Sequence, residues 1–284
     1  MPAPTALTLA GRTFQWGRRT FVMGVLNLTD DSFAGDGLGA DVDAALAQAA
    51  RFVREGADLL DVGAQSTRPG FIPVPASQQI ARVVPVVERL VRTLPLPVSV
   101  DTSDAAVARA ALAAGAHLIN DIHGLRRDPA LAAAVAEAGA AAIIMHNQRG
   151  RPFHDVIGDI TAGWRESCAL AAAAGIPRQR LLADPGFGFG WEPGQNLEII
   201  RRLSELRTLG LPLLIGPSRK STIGLVLDLP VEERLEGTAA AVALAIANGA
   251  DIVRVHDVRA MVRVARMADA IVRGWQPAEG GTGD

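Results

Sequence analysis

The sequence contains very little cysteine and no long apolar stretch. Its single cysteine, Cys168, has no partner for an intrachain disulfide, which fits a reducing compartment. The longest uninterrupted apolar run, residues 239–247, is well short of the roughly 20 residues that span a bilayer. The first residues lack the basic segment, apolar run and cleavage site of a signal peptide. We therefore expect a cytoplasmic protein without a membrane-spanning segment.

The chain also has little net charge, and this excludes binding that depends on overall charge. Its 284 residues include 28 Lys and Arg against 30 Asp and Glu, a net charge of −2. Such a balance gives no general attraction to nucleic acid or to an anionic membrane surface, so neither is expected as a partner. An anionic ligand would have to be held by a local cluster of cations.

Short apolar runs alternate with alanine-rich helical stretches along the chain. Runs that are apolar on both faces are typical of buried parallel strands. Eight strands alternating with helices predict an α/β fold of the (β/α)8 TIM-barrel type. The alternative is an open, doubly wound sheet, which the strand count and the lack of a glycine-rich turn after the first strand disfavour. The runs lie at residues 21–26, 58–63, 97–101, 117–121, 141–146, 180–184, 211–216 and 251–256.

Three further features complete the predicted organisation. Residues 5–20 predict a short N-terminal β-hairpin at the bottom of the barrel. Four helices end in Gly-Ala before a strand, which fits the left-handed turn that glycine permits at a helix C-terminus. We expect residues 1–275 to form a single domain, as barrels of this size commonly do, and residues 276–284 to be a disordered tail.

The carboxyl ends of the predicted strands are unusually polar. In a barrel these ends meet at one mouth, where the active site is built. Each residue taken singly is interpreted as a helix cap, a turn residue or a hydrogen-bonded structural side chain. Their convergence favours a site for a polar heterocycle that carries an anion. The residues are Asn27, Asp61, Asp101, Asn120, Asp121, His146, Asp184, Lys220, Arg254 and His256.

Cationic side chains come from three of these strand ends. Lys220 follows the seventh predicted strand, and Arg254 and His256 end the eighth, where such barrels commonly hold phosphate. Arg68 follows the second strand and is equally well interpreted as a solvated loop charge. Arg254 lies within an apolar strand and needs an anionic partner, because an unpaired buried charge is strongly destabilising.

Seven segments, in order along the chain, resemble the dihydropteroate synthase family. They are MGVLNLTDDSF (23–33), GADLLDVGAQSTRPG (56–70), VSVDT (98–102), INDI (119–122), DPGFGFG (184–190), GPSRKSTIG (216–224) and RVHDV (254–258). They run from the first to the last barrel strand, so the resemblance covers nearly the whole chain. It implies an enzyme of folate biosynthesis that joins 6-hydroxymethyl-7,8-dihydropterin diphosphate to p-aminobenzoate, giving 7,8-dihydropteroate and pyrophosphate.

The resemblance also implies roles for individual residues. The pterin-binding residues would be Asp101, Asn120, Met145, Asp184, Phe189 and Lys220. The pyrophosphate-binding residues would be Asn27, Arg68, Arg254 and His256, with Asn27 near a Mg²⁺ ion. The p-aminobenzoate-binding residues would be Phe33, Thr67, Arg68, Pro69 and Ser221. The catalytic residues would be Lys220, Arg254 and Asp101, and the enzyme would be a homodimer.

Three positions depart from the family pattern. Asp30 stands where proline is usual, Ala64-Gln65 where Gly-Glu is usual, and Trp191 where lysine is common. The first two changes lie in the loops 28–40 and 64–75, and they bear on loop geometry and sulfonamide affinity. These loops have few apolar anchors, so we expect them to be mobile until the diphosphate binds and p-aminobenzoate to bind second.

Two other functions stay open at this point. A methyltetrahydrofolate methyltransferase uses a similar pterin-binding barrel but has no pyrophosphate to hold, so Lys220, Arg254 and His256 count against it. A non-catalytic pterin-binding barrel is the other alternative, which the altered loops leave open.

Overall fold

The computed structural model of the protein describes residues 5–29, 38, 41–65 and 74–275. The strands within them are β1 (Ala6–Leu9), β2 (Arg12–Gln15), β3 (Phe21–Asn27), β4 (Leu59–Gly63), β5 (Val98–Asp101), β6 (Leu118–Asp121), β7 (Ala141–Met145), β8 (Leu181–Asp184), β9 (Leu214–Ile215) and β10 (Ile252–Val255). The helices are α1 (Val42–Glu55), α2 (Ala76–Thr93), α3 (Ala105–Ala113), α4 (Pro129–Glu137), α5 (Val156–Ala174), α6 (Pro193–Arg201), α7 (Ser221–Leu227), α8 (Leu235–Ala247) and α9 (Val258–Arg273).

Strands β3 to β10 form one parallel sheet that closes on itself. Neighbouring strands follow the order β8-β7-β6-β5-β4-β3-β10-β9. A parallel bridge between Ala183 and Leu213 joins β8 to the segment that enters β9. The predicted (β/α)8 TIM barrel is therefore confirmed, and the open doubly wound sheet is wrong. The strand ends consequently face one mouth, as the sequence predicts.

Strand β9 is shorter than the predicted run of residues 211–216, because it covers only Leu214–Ile215. Pro212 has no N–H group and cannot donate to a neighbouring strand. Its carbonyl oxygen still accepts a hydrogen bond from the N–H of Ala183, at 2.9 Å. The seam of the barrel is therefore held by fewer ladder hydrogen bonds than the other strand pairs.

The predicted N-terminal hairpin is confirmed, and it packs against the bottom of the barrel. Strands β1 and β2 pair antiparallel. Leu7, Leu9 and Phe14 of the hairpin are buried together with the first residues of the barrel strands, including Phe21. The rings of Phe14 and Phe21 meet edge to face, with centroids 4.8 Å apart. The hairpin thus covers apolar side chains that an open barrel would expose, and leaves the polar mouth at the other end.

In each of the four helix-to-strand connections that carry the Gly-Ala pattern, the glycine has the left-handed backbone conformation. Backbone φ is positive at Gly56, Gly115, Gly139 and Gly249. This geometry confirms the predicted turn, because a residue with a Cβ is strained there. None of the described helices combines the length and apolarity needed to cross a membrane. The single domain over residues 1–275 stays a prediction, and the predicted tail lies outside the described residues.

Candidate active site

An arginine at the centre of the mouth is held by two carboxylates. Arg254 of β10 donates from Nε to Oδ2 of Asp61 at 2.6 Å and from Nη2 to Oδ2 of Asp101 at 3.0 Å. Asn120 of β6 donates from Nδ2 to the same Oδ2 of Asp61 at 3.0 Å. The four side chains form one network across β10, β4, β5 and β6. The anionic partner that Arg254 needs is therefore supplied by the protein itself.

Asp61 is a site residue to which sequence reasoning gave no role, although it counted among the polar strand ends. It is fully buried, and its Oδ1 has no hydrogen-bond partner among the described residues. The available signal was a carboxylate inside the apolar run of residues 58–63. Because a buried carboxylate is costly unless paired, such a residue indicates a cation nearby, here Arg254.

Burial and neighbouring charges shift the pKa values in this network. Burial raises the pKa of Asp101 to about 7, with Arg254 opposing the shift and Asp61 adding to it. Burial alone would lower the pKa of Arg254, but the carboxylates of Asp61 and Asp101 outweigh it, and the pKa is raised. Arg254 therefore remains a fixed positive charge at the mouth, while Asp101 changes charge close to neutral pH.

A second carboxylate and a second cation face each other in the neighbouring part of the mouth. Asp184 ends β8 and accepts a hydrogen bond at Oδ1 from the N–H of Gly186, at 2.7 Å. Lys220 follows β9, and its Nζ donates to the carbonyl oxygen of Phe187. Burial raises the pKa of Asp184, and Lys220 opposes that rise. Burial lowers the pKa of Lys220 to about 8, against the effect of Asp184.

The loop DPGFGFG after β8 places an aromatic ring beside these charges. The Nζ atom of Lys220 lies 4.7 Å from the ring centroid of Phe189, and the guanidinium carbon of Arg149 lies 4.8 Å from it. Gly186 has φ +76°, and a Cβ there would overlap the carbonyl oxygen of His146. Met145 is buried and pairs in register with Asp184. This part of the mouth thus has an apolar surface with carboxylate and ammonium groups at its edge.

His256 follows β10 directly and Asn27 ends the neighbouring strand β3, so both lie beside this pocket, which β8 and the end of β9 form. The N–H of His256 donates to Oγ of Ser218 at 3.2 Å, and its Nδ1 is 3.0 Å from the same oxygen. Ser218 was not predicted as a site residue, and it orients the imidazole. Asn27 is the half-buried last residue of β3, beside β10. Both residues can donate to an anion held near Arg254.

The predicted magnesium ion would lie near Asn27, and the donor groups of the described residues show whether such an ion fits there. The described residues contain no group of three or more His, Cys, Asp or Glu that could hold a metal. Mg²⁺ commonly takes most of its ligands from substrate phosphates and water, with few from the protein. One amide oxygen of Asn27 therefore fits an ion that arrives with a diphosphate.

Not every predicted site residue is among those that the structure describes. Phe33, Thr67, Arg68 and Pro69, like the departure at Asp30, lie outside the described residues. Ser221 is exposed at the start of α7, directly after Lys220. The structure brings the other predicted site residues to the mouth, at or just after the strand ends; their individual roles remain predictions. They are Asn27, Asp101, Asn120, Met145, Asp184, Phe189, Lys220, Arg254 and His256.

Two of the polar strand-end residues, Asp121 and His146, have structural roles. This agrees with the interpretation of each residue taken singly. The carboxylate of Asp121 accepts the backbone N–H groups of His123 at 2.9 Å and Leu125 at 2.6 Å, and so shapes the loop after β6. His146 is fully buried, and burial lowers its pKa to about 4. Its Nε2 lies 2.8 Å from Oε1 of Gln148, so the neutral imidazole supports the loop after β7.

Among the positions that depart from the family pattern, Trp191 and Gln65 are described by the structure, and both have structural roles. Trp191 is buried and packs near His146, with ring centroids 5.5 Å apart, where a lysine would lose its hydration. Oε1 of Gln65 accepts from the N–H of Val74 at 3.1 Å and from Nε2 of Gln79 at 3.0 Å. Gln65 therefore ties together the two ends of the loop that departs from the family pattern.

Comparison with known proteins agrees with this geometry. The family described as pterin binding enzyme matches residues 23–256. A dihydropteroate synthase of Clostridium beijerinckii is 42% identical over 268 residues, covering 94% of this chain and all of that one. A Clostridium difficile dihydropteroate synthase crystallised in the presence of pteroic acid has a TM-score of 0.87 and 44% identity, covering 92% of this chain and 99% of that one.

A third comparison concerns the second predicted substrate. A Xanthomonas albilineans dihydropteroate synthase solved with 4-aminobenzoic acid has a TM-score of 0.87 and 43% identity, covering 95% of this chain and 98% of that one. Fold and mouth thus define a pterin-binding barrel enzyme. Within that class, the chain belongs to the dihydropteroate synthase family.

Proposed function

We propose that the chain condenses 6-hydroxymethyl-7,8-dihydropterin diphosphate with p-aminobenzoate and releases pyrophosphate. The observation that carries this proposal is the meeting of two unlike sites at one mouth. The pocket of Asp184, Lys220 and Phe189 suits a flat polar heterocycle. The cationic group of Arg254 and His256 beside it suits a diphosphate.

The pterin would be recognised through its hydrogen-bonding edges. The carboxylate of Asp184 accepts from the 2-amino group and N3–H, which favours its ionised form although burial raises its pKa. The amide of Asn120 offers both a donor and an acceptor to the ring nitrogens. Lys220 donates to the carbonyl oxygen and N5, while Phe189 and Met145 pack against the ring faces.

The chemical difficulty is the negative charge that develops on the leaving pyrophosphate. Arg254 donates Nε and one N–H of Nη2 to Asp61 and Asp101, so its other N–H groups can be donated to phosphate oxygens. A unit positive charge about 4 Å from a negatively charged phosphate oxygen stabilises it by up to ~4 kcal/mol at an effective dielectric constant of 20. His256 and Asn27 add donors, and a bound Mg²⁺ would supply further positive charge.

The proposed reaction breaks one bond and forms one bond. The bond between the pterin methylene carbon and the diphosphate oxygen breaks, and its electron pair stays on that oxygen. The amine nitrogen of p-aminobenzoate then forms a bond to the carbon and loses a proton. An aromatic amine is already neutral at pH 7, so no general base is required for the attack. Phe33, Thr67, Arg68, Pro69 and Ser221 are the proposed contacts of p-aminobenzoate.

A pyrophosphate-release assay tests the activity. With the pterin diphosphate, Mg²⁺ and p-aminobenzoate, we expect pyrophosphate and dihydropteroate in equal amounts. A parallel reaction with methyltetrahydrofolate should transfer no methyl group. If circular dichroism shows a folded protein that releases no pyrophosphate, the protein is a non-catalytic pterin-binding barrel, and the proposal is wrong.

We also propose that the enzyme is a homodimer, joined through an apolar face on α6, α7 and α8. Leu225 is 69% exposed and Leu244 is 58% exposed, beside the exposed Leu197 and Val226. Leu197, Val226 and Leu244 line an apolar groove of about 470 Å³, and Leu225 precedes Val226 on α7. Contiguous exposed apolar surface of this kind marks an interface, and a second copy of the chain is the partner that the family resemblance implies.

Sedimentation of variants tests the dimer. Leu225→Glu and Leu244→Glu should each shift the protein toward the monomer. Ile271→Glu is the matched control, because Ile271 of α9 is 70% exposed and does not line the apolar groove. A monomeric wild type, or dissociation by the control alone, would refute this interface.

A cytoplasmic location belongs to the same proposal. Cys168 is a free thiol, consistent with a reducing compartment. Fractionation of cells that express the protein should recover it with cytoplasmic markers, and recovery with secreted proteins would contradict this.

A further inference from the structure

A second cluster of cations lies at the mouth, across the barrel from Arg254. Loops after β6 and β7 supply its four arginines. In the strand order, β6 is four strands from β10 and β7 is four strands from β3, and neither Arg254 nor His256 lines the arginine cavity. The arginine cavity has a volume of about 450 Å³ and is lined by Arg126, Arg127, Arg149 and Arg151 with Gln65, Ser103, Ile122, His123 and Asn147.

The carboxylates near these arginines are few. No Asp or Glu is among the described residues that line the cavity. Glu166 of α5 is paired with Arg151, 3.1 Å from Nη2 to both of its oxygens, and lies 3.8 Å from Nη1 of Arg126. Asp121 accepts backbone N–H groups of its own loop, and Asp128 caps α4 through the N–H of Ala130. The cluster therefore carries an excess of positive charge.

The excess charge agrees with the direction of two pKa shifts. Burial lowers the pKa of Arg126, and the charge of Arg151 lowers it further, whereas Glu166 and Asp121 oppose the fall. Burial also lowers the pKa of His123; Asp121 opposes the fall, whereas Arg127, Arg126 and Arg149 add to it. An anion in the cavity would relieve this repulsion.

The arginines are positioned before any ligand binds. Arg126 has a side chain that is only 15% exposed. It donates from Nε to the carbonyl oxygen of His123 at 3.0 Å and from Nη2 to that of Met145 at 3.4 Å. Its Nη1 is buried and has no hydrogen-bond partner among the described residues. Arg149 stacks on Phe189, which connects the cavity to the wall of the proposed pterin pocket.

We propose that the arginine cavity binds a second phosphate-class anion, independently of the Arg254–His256 pocket. Phosphate chemistry is favoured because planar guanidinium groups from two loops surround the space, and guanidinium groups donate paired hydrogen bonds to phosphate oxygens. A multiply charged anion is needed to offset several arginines at once. Released pyrophosphate and free inorganic phosphate share this chemistry. Binding there does not depend on catalysis.

Calorimetry with inorganic pyrophosphate, without Mg²⁺ and at constant ionic strength, tests the proposal. We expect two sites per chain. The double variant Arg127→Gln/Arg151→Gln should weaken one site at least tenfold and leave the other unchanged. Arg254→Gln should weaken the site at the Arg254–His256 pocket and leave the arginine cavity unchanged. His256→Ala is a second variant of that pocket. Arg127→Gln alone, at an exposed position, tests the cavity should the double variant not fold.

Arg89→Gln is the matched control, because it removes the same charge from an exposed position on α2. Both sites should be unaffected by it. A single pyrophosphate site that Arg254→Gln abolishes would overturn the second site. An equal loss of pyrophosphate affinity in Arg89→Gln would show that the effect comes from overall charge, and this would also overturn the second site. Titrations with phosphate and glutamate separate the ligand classes: if glutamate binds the cavity as tightly as pyrophosphate, the phosphate assignment is wrong.

Discussion

At the scale of single residues, the site depends on buried charges that are each paired with one or two partners. Asp184 is the clearest example, because its carboxylate is buried and faces Lys220. Removing such a group leaves the pterin donors that it accepts unpaired. The buried carboxylate thus provides both affinity and discrimination between heterocycles.

We predict that Asp184→Ala lowers pterin affinity by about tenfold to a hundredfold, because unpaired buried donors cost about 1–3 kcal/mol. Calorimetry with a pterin that lacks phosphates measures this. Asp43→Asn, at an exposed position in α1, is the control and should bind normally. Unchanged affinity in Asp184→Ala would remove Asp184 from the pterin pocket.

The pKa of Lys220, lowered by burial to about 8, predicts a pH dependence of pterin binding. Below pH 8 the amine is a cation that donates to the pterin carbonyl oxygen, and above pH 8 it is neutral. Affinity should therefore fall as pH rises through about 8. In Lys220→Arg the charge persists, so the fall should be absent at this pH. Titrations from pH 6 to pH 10 measure it, and identical profiles for both proteins would contradict the prediction.

At the scale of elements, the loop DPGFGFG depends on glycine for its path. We predict that Gly186→Ala costs at least about 2 kcal/mol of unfolding free energy, because φ is +76° and the added Cβ would overlap the carbonyl oxygen of His146. Gly194→Ala is the matched control, since it lies in α6 with nothing within 4 Å. It should be neutral or gain up to about 1 kcal/mol. Denaturant unfolding compares them, and equal stabilities would show that the loop adjusts freely.

The elements themselves were largely predictable from the sequence, because strands buried on both faces leave continuous apolar runs. The run at residues 21–26 corresponds to Phe21–Asn27 in the structure. The prediction was wrong in length at β9, where Pro212 interrupts donation to the ladder. A proline inside an apolar run is visible in the sequence, so this difference could have been anticipated.

The connections between elements were less predictable. Arg254 and Asp61 are 193 residues apart in sequence, and only barrel closure brings them to 2.6 Å. The sequence required an anionic partner for Arg254 but did not identify it. Similarly, Arg126 and Arg151 lie in loops of separate strands, and their common cavity follows from β6 and β7 being neighbours.

At the scale of the whole molecule, the two substrates are expected to bind in order. The bases of both loops are anchored at the mouth: the N–H of Leu38 donates to the carbonyl oxygen of Asn27 at 2.8 Å, and Gln65 joins Val74 and Gln79. Along the sequence, Phe33, Thr67 and Pro69, which would complete the p-aminobenzoate pocket, fall between these anchors. We therefore expect a diphosphate bound beside Asn27 to be coupled to the p-aminobenzoate site.

We predict that p-aminobenzoate binds at least about tenfold more tightly once pyrophosphate, Mg²⁺ and a pterin are bound. The measurement is a titration into free enzyme and into the saturated complex. The control is enzyme saturated with the pterin alone, which should show little coupling because Asn27 is not engaged. Equal affinity in all titrations would mean that the pocket exists without the diphosphate.

The position of Lys220 has a practical consequence, because it is the only lysine in the 284-residue sequence. Amine-selective reagents can acylate or reductively alkylate lysine only here, apart from the N-terminal amine. With a pKa of about 8, a substantial fraction of this amine is unprotonated and nucleophilic at mildly alkaline pH. A bound pterin should shield it, so the extent of labelling in the peptide that contains Lys220 reports occupancy of the pocket. The same amine offers a single attachment point for a covalent inhibitor built on a pterin.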